Sequence, residues 1–137
     1  MATRSSITVK REDGKYVSVY CHFDGYTSHV GKLLFCHYNT YEKALALVSL
    51  GHLSSLDASI ECPPGHSYDT RVDGYTVCYG RDRGETDQAP IVESCIEGVR
   101  LCNFQQYNYL FQDGKWYLHG KQGYMSELTF DAAENDK

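Results

Sequence analysis

The sequence has no Cys-x-x-Cys pair, no glycine-rich phosphate loop of either common form, and no apolar run approaching the ~18 residues of a membrane span. Each absence closes a route. A zinc knuckle, a standard nucleotide cradle and a transmembrane helix all lack support. The opening MATRSSITVK has no apolar centre of the kind a secretion signal needs, so a cytosolic setting is expected. The six cysteines (Cys21, Cys36, Cys62, Cys78, Cys95, Cys102) then read as reduced thiols rather than a disulfide framework. Basic charge is short as well: 13 Lys and Arg stand against 18 Asp and Glu, with a pI near 5.6. Phosphate backbones are therefore disfavoured partners. At 137 residues the chain, 1–137, fits one domain able to bury its own core.

What is abundant is tyrosine, twelve in all. Its large apolar body and polar tip suit recognition surfaces. Residues 6–10 and 16–23 alternate in polarity around Asp13-Gly14, which predicts a β-hairpin with Val17, Val19, Cys21 and Phe23 on one face. Tyr16, Ser18, Tyr20, His22 and Asp24 fall on the other, so Cys21 reads as core and His22 as part of a polar, aromatic face. Val30, Leu33, Leu34 and His37 then recur at helical spacing. A second helix follows, capped by Asn39 with Glu42 in the capping-box position and ended by Gly51. Residues 52–74 read as loop with one short strand near 58–61, residues 75–79 as a strand, and residues 91–101 as a helix with Ile91, Cys95 and Val99 on one stripe. Asp113-Gly114 repeats the first hairpin's turn chemistry, and the acidic tail from about 131 to 137 is expected to fray. The fold class predicted is α+β: a single layer of about five mostly antiparallel strands with helices packed on one face.

Candidate sites each have a plain structural alternative. Cys21, His22, Cys36, His37, Cys62, His66 and Cys78 are potential metal donors, but the best spacing, Cys62-x-x-x-His66, has no second half in the nearby sequence. No metal and no cofactor is expected. His22 and Asp24 share one side of a strand and His37 lies on the next helix, yet no serine or cysteine sits in a strand-turn-helix elbow beside them. No catalytic residue is assigned. Arg81-Asp82-Arg83-Gly84-Glu85 follows a strand, where two arginines can fork onto a phosphate or carboxylate, or compensate one another's neighbours in a salt-bridged turn. The binding candidates are His22, Asp24, Tyr26, His37, Tyr38, Arg81, Asp82, Arg83 and Glu85. If the sheet face away from the helices is open, its tyrosines and histidine would form a partner or ring-stacking surface.

The series ATRSSI, YCHFDGY, HYNT, EKALALVSLG, LSSL, YGRDRGE, YNYLF and DGKWY resembles a family of small proteins of tailed bacteriophages and prophages. Phe23 stands where that family often has Trp. The resemblance implies no activity, substrate or cofactor. It implies a phage accessory product working in the host bacterial cytoplasm. Small acidic proteins in that setting commonly act by binding. The leading expectation is a non-enzymatic inhibitor of a host factor, of the counter-defence, anti-CRISPR type. The alternative is a sponge for a nucleotide-type signal, with Arg81 and Arg83 on phosphate and tyrosines on the base. A third reading is a small enzyme dependent on His22, Asp24 and His37 or on a metal.

Overall fold

The Asp13-Gly14 turn brings β1 (Ser5–Lys10) against β2 (Tyr16–Cys21) in antiparallel register, Val9 opposite Val17 and Ile7 opposite Val19. In the computed structural model, which describes residues 3–86, 88–120 and 125–128, this hairpin is the middle of an eight-stranded mixed sheet. On one side β6 (Tyr107–Gln112) runs parallel to β1, then β7 (Lys115–His119) and β8 (Met125–Glu127) follow antiparallel. On the other side β2 has two short partners on a single edge. β5 (Ile91–Glu93) pairs with Tyr16 to Ser18, and β3 (Leu53–Ser55) meets Cys21 and carries β4 (Val77–Cys78) outside it.

The α+β class and the mostly antiparallel pairing hold, but the strand number exceeds the predicted five. The surplus comes from β3, β5 and β8, each three residues long. Strands that short carry little periodicity and exist because a neighbouring edge offers hydrogen bonds. Residues 91–101 are corrected from one helix to strand β5 followed by α4 (Ile96–Cys102). The strand expected near 58–61 is only a single bridge between Ser59 and Tyr75. The Arg81 to Glu85 stretch begins inside a one-turn helix, α3 (Tyr79–Arg83), rather than in a loop. The acidic tail lies outside the described residues.

Helices cover both faces, not one. A π-helical turn (Thr27–Gly31) leads into α1 (Lys32–His37), and α2 (Tyr41–Val48) follows, capped by the Thr40 hydroxyl rather than by Asn39. They bury Leu34, Tyr38, Ala44, Leu47 and Val48 against Ile7, Val9, Val17, Val19, Tyr109, Phe111 and Trp116. The opposite face is closed by α4 and residues 103–106 over a buried polar layer. There Asn103 Nδ2 donates to Ser18 Oγ at 2.8 Å, Ser18 pairs with Thr8 at 2.8 Å, and Ser6 donates to Asn108 Oδ1 at 2.7 Å. Buried hydroxyls and amides are tolerated because each finds another. The open tyrosine-lined sheet face is thereby ruled out. Among the described residues no helix is long and apolar enough to cross a membrane.

Candidate functional site

The edge of β2 changes partner between Ser18 and Cys21, and Tyr20 sits in the gap. Its backbone N–H, which would otherwise bond a strand carbonyl, donates to His52 Nδ1 at 3.0 Å. His52 is placed by its own backbone: its N–H donates to the Gln88 carbonyl at 2.9 Å, and its carbonyl accepts from Tyr79 N–H at 3.2 Å. Because Nδ1 is an acceptor, the neutral ring carries its proton on Nε2. Burial lowers the His52 pKa, which favours that neutral ring.

Around this gap lies a cleft of about 440 Å³, lined by Tyr20, His52, Tyr79, Arg83, Glu85, Gln88, Ile91 and Asn103, among others. The volume is in the range of small-ligand sites. Tyr79 faces Tyr68 at 6.1 Å between ring centroids, and the Arg83 guanidinium lies over Tyr68 at 4.6 Å. Arg83 Nε is 3.4 Å from Glu85 Oε2, with both side chains partly exposed. The cleft thus joins aromatic walls to one cation and one anion.

The two arginines of α3 differ in what they do. Arg81 Nε and Nη2 grip Asp82 at 2.8 and 3.1 Å, while its terminal nitrogens also donate to the carbonyls of Ile60 and Thr76. Asp82 is a buried hub. Its carboxylate accepts from the Cys78 N–H at 2.8 Å and from the thiols of Cys78 and Cys62 at 3.5 and 3.7 Å. Burial acts to raise the Asp82 pKa, but the bonds from Arg81 and the Cys78 N–H outweigh it and hold the group below the usual carboxylate range.

The partner that Cys62-x-x-x-His66 lacked in sequence is thus Cys78-x-x-x-Asp82, but here the Cys62 and Cys78 thiols hydrogen-bond to Asp82 while His66 Nε2 stands beside it without a hydrogen bond. His66 Nδ1 accepts from Val72 N–H at 3.0 Å, so the neutral ring keeps its proton on Nε2, 3.5 Å from Asp82, with no lone pair there for a metal. Among the described residues no group of three or more His, Cys, Asp or Glu side chains could hold a metal ion.

Of the predicted site residues, only Arg83 and Glu85 line this cleft. His22 lies at the end of β2, its Nδ1 2.6 Å from the Tyr20 hydroxyl and its ring edge-on to Phe23. Asp24 takes φ +57° and accepts from the Tyr26 hydroxyl at 3.2 Å, forming a separate exposed corner. His37 is exposed at the end of α1 and lines a different hollow with Cys36 and Lys43. Tyr38 is core: its hydroxyl donates to the Asp57 carbonyl at 2.5 Å and its carbonyl accepts from Trp116 Nε1. His52 and Gln88 escaped sequence reading. Gly51 marked a helix end, yet nothing in the string tied the next residue to Tyr20, and Gln88 had no signal at all.

The chain matches no protein-family model, no curated protein and no solved structure. What the site does rests on its geometry.

Proposed function

We propose that this chain is a phage accessory protein of the host cytoplasm that acts by binding, and that it withdraws a small nucleotide-type signal into the cleft beside Tyr20. The observation that carries this reading is the cleft itself: aromatic side chains of Tyr20, His52 and Tyr79 beside the Arg83–Glu85 pair. Chemistry is not favoured at the two buried thiols. Burial pushes Cys21 up to about 12 and Cys78 to about 11, so both stay protonated and poorly nucleophilic. Arg81, spent on Asp82 and backbone carbonyls, drops out of the ligand-binding set.

Native mass spectrometry of protein purified from bacterial cytosol tests this. A co-purifying mass equal to one nucleotide is expected, lost in a Tyr79→Ala/Arg83→Ala variant whose unfolding midpoint is kept. A bare chain, together with no midpoint rise from any member of a nucleotide panel, would overturn the reading.

The inhibitor reading keeps one supporting observation. Val92 on β5 and Leu101 on α4 are 47% and 90% exposed, next in sequence to Ile91 and Cys102 of the cleft. If a host protein docks there, Leu101→Glu should abolish its co-purification and leave nucleotide binding intact.

A further inference from the structure

We infer that the cleft reads a guanine-type base, with Glu85 accepting two adjacent N–H donors of the ring and Arg83 donating to the neighbouring carbonyl. This rests on the small-ligand reading above and names the occupant's class.

The starting point is the unequal use of the two arginines. Arg81 has its Nε and both terminal nitrogens engaged within the chain. Among the described residues Arg83 makes only the contact over Tyr68 and a loose ion pair, its Nε 3.4 Å from Glu85 Oε2. That separation is longer than a good charge-assisted hydrogen bond. Among the described residues, neither terminal nitrogen of Arg83 and neither oxygen of Glu85 is committed to a short bond. The pair is electrically neutral yet rich in unused donors and acceptors, and it stands at an aromatic cleft.

A neutral pair is a poor grip for a phosphate chain, because the carboxylate repels what the guanidinium attracts. It is a good reader of a heterocyclic edge. A carboxylate has two acceptor oxygens and is complementary to two N–H groups side by side; a guanidinium presents parallel donors that suit a ring carbonyl and its neighbouring nitrogen. Guanine carries both in order, N2–H and N1–H followed by O6. Adenine presents one donor beside one acceptor, so one carboxylate oxygen would face a lone pair. The Tyr79 ring, held by Tyr68, supplies a π face for the base, and His52 adds an N–H donor from Nε2.

The test is calorimetric titration of the full chain with guanosine, inosine and adenosine 5′-monophosphates. Guanosine monophosphate should bind best. The inosine analogue, which lacks N2, should bind about tenfold more weakly and the adenosine analogue about a hundredfold more weakly, as expected for loss of one or both parts of a bidentate contact. Glu85→Gln should bring the three affinities together while the unfolding midpoint stays within error. Equal affinities for all three, weakened alike by Tyr79→Ala, would overturn the guanine assignment and leave the cleft as a general nucleotide site. Failure of all three, with a different nucleotide co-purifying and displaced by Tyr79→Ala, would overturn the guanine assignment alone. Failure of all three, with no co-purifying mass and no midpoint rise from any member of the nucleotide panel, would overturn both.

Discussion

Replacing Asp82 by Ala removes the acceptor on which α3, β4 and residues 60–66 converge. The Asp82 side chain is fully shielded, and Cys78 N–H, Arg81 and two thiols all point at it. Without it the Cys78 N–H is a buried donor with no partner, a cost of about 1–3 kcal/mol. The Arg81 guanidinium also loses its counter-charge. Breaking a buried ion pair costs about 3–5 kcal/mol, but Arg81 is 27% exposed and keeps the Ile60 and Thr76 carbonyls, so the lower end applies. With the lower end of each range, the expected total is about 4 kcal/mol. Asp82→Asn should cost about 2 kcal/mol, since the amide must turn its NH₂ toward either Arg81 or the Cys78 N–H. Trp116, the single tryptophan, is buried against Phe111 and reports urea unfolding by fluorescence. The pH dependence has a definite sign. A carboxylate held below its usual range contributes stability above its unfolded pKa, near 3.9, and loses that contribution as pH falls through the depressed native value. The gap between wild type and Asp82→Asn should therefore be widest near neutrality and shrink in acid below about pH 4. An Asp82→Ala variant within about 0.5 kcal/mol of wild type at pH 7, the range of ordinary surface changes, would refute the hub.

Thiol labelling at pH 8 should modify only Cys36, Cys62, Cys95 and Cys102 in the native protein, because Cys21 and Cys78 are buried with pKa values pushed up to about 12 and 11; mass analysis before and after denaturation checks this. His119 is buried, and burial, with Arg100 adding to it, lowers its pKa to about 4. Its neutral form is favoured on folding, so its contribution is complete above about pH 6.5 and lost between there and pH 4, about 3 kcal/mol in all; His119→Gln should flatten that part of the stability profile. Gly51 takes φ +87°, and a Cβ there would stand 2.0 Å from the Gln88 carbonyl oxygen. Gly51→Ala should cost at least the 1–2 kcal/mol of a left-handed residue, roughly, and weaken nucleotide binding by displacing His52 and Gln88, as unfolding and titration together would show.

The two hairpins and α2 were legible because their signals are local. Asp13-Gly14 and Asp113-Gly114 supply turns between alternating strands, and the α2 stripe lies within eight residues. Ile91 misled for the opposite reason: its spacing to Cys95 and Val99 fits a helix, but the Tyr16 to Ser18 edge of β2 takes it as a strand. Tyr38 was placed on a surface by residue type, yet Trp116, far along the chain, turns it into core.

The string by itself determined the class of fold, the first two strands and the core side of Cys21. Those follow from neighbours within a few residues, where periodicity and turn chemistry act. Only the tertiary structure decided that Arg81 is spent on Asp82 while Arg83 is left open, and that His52 stands in for a missing strand beside Tyr20. Both depend on which distant backbone groups remain unpaired once the sheet has formed, and a linear pattern does not carry that information.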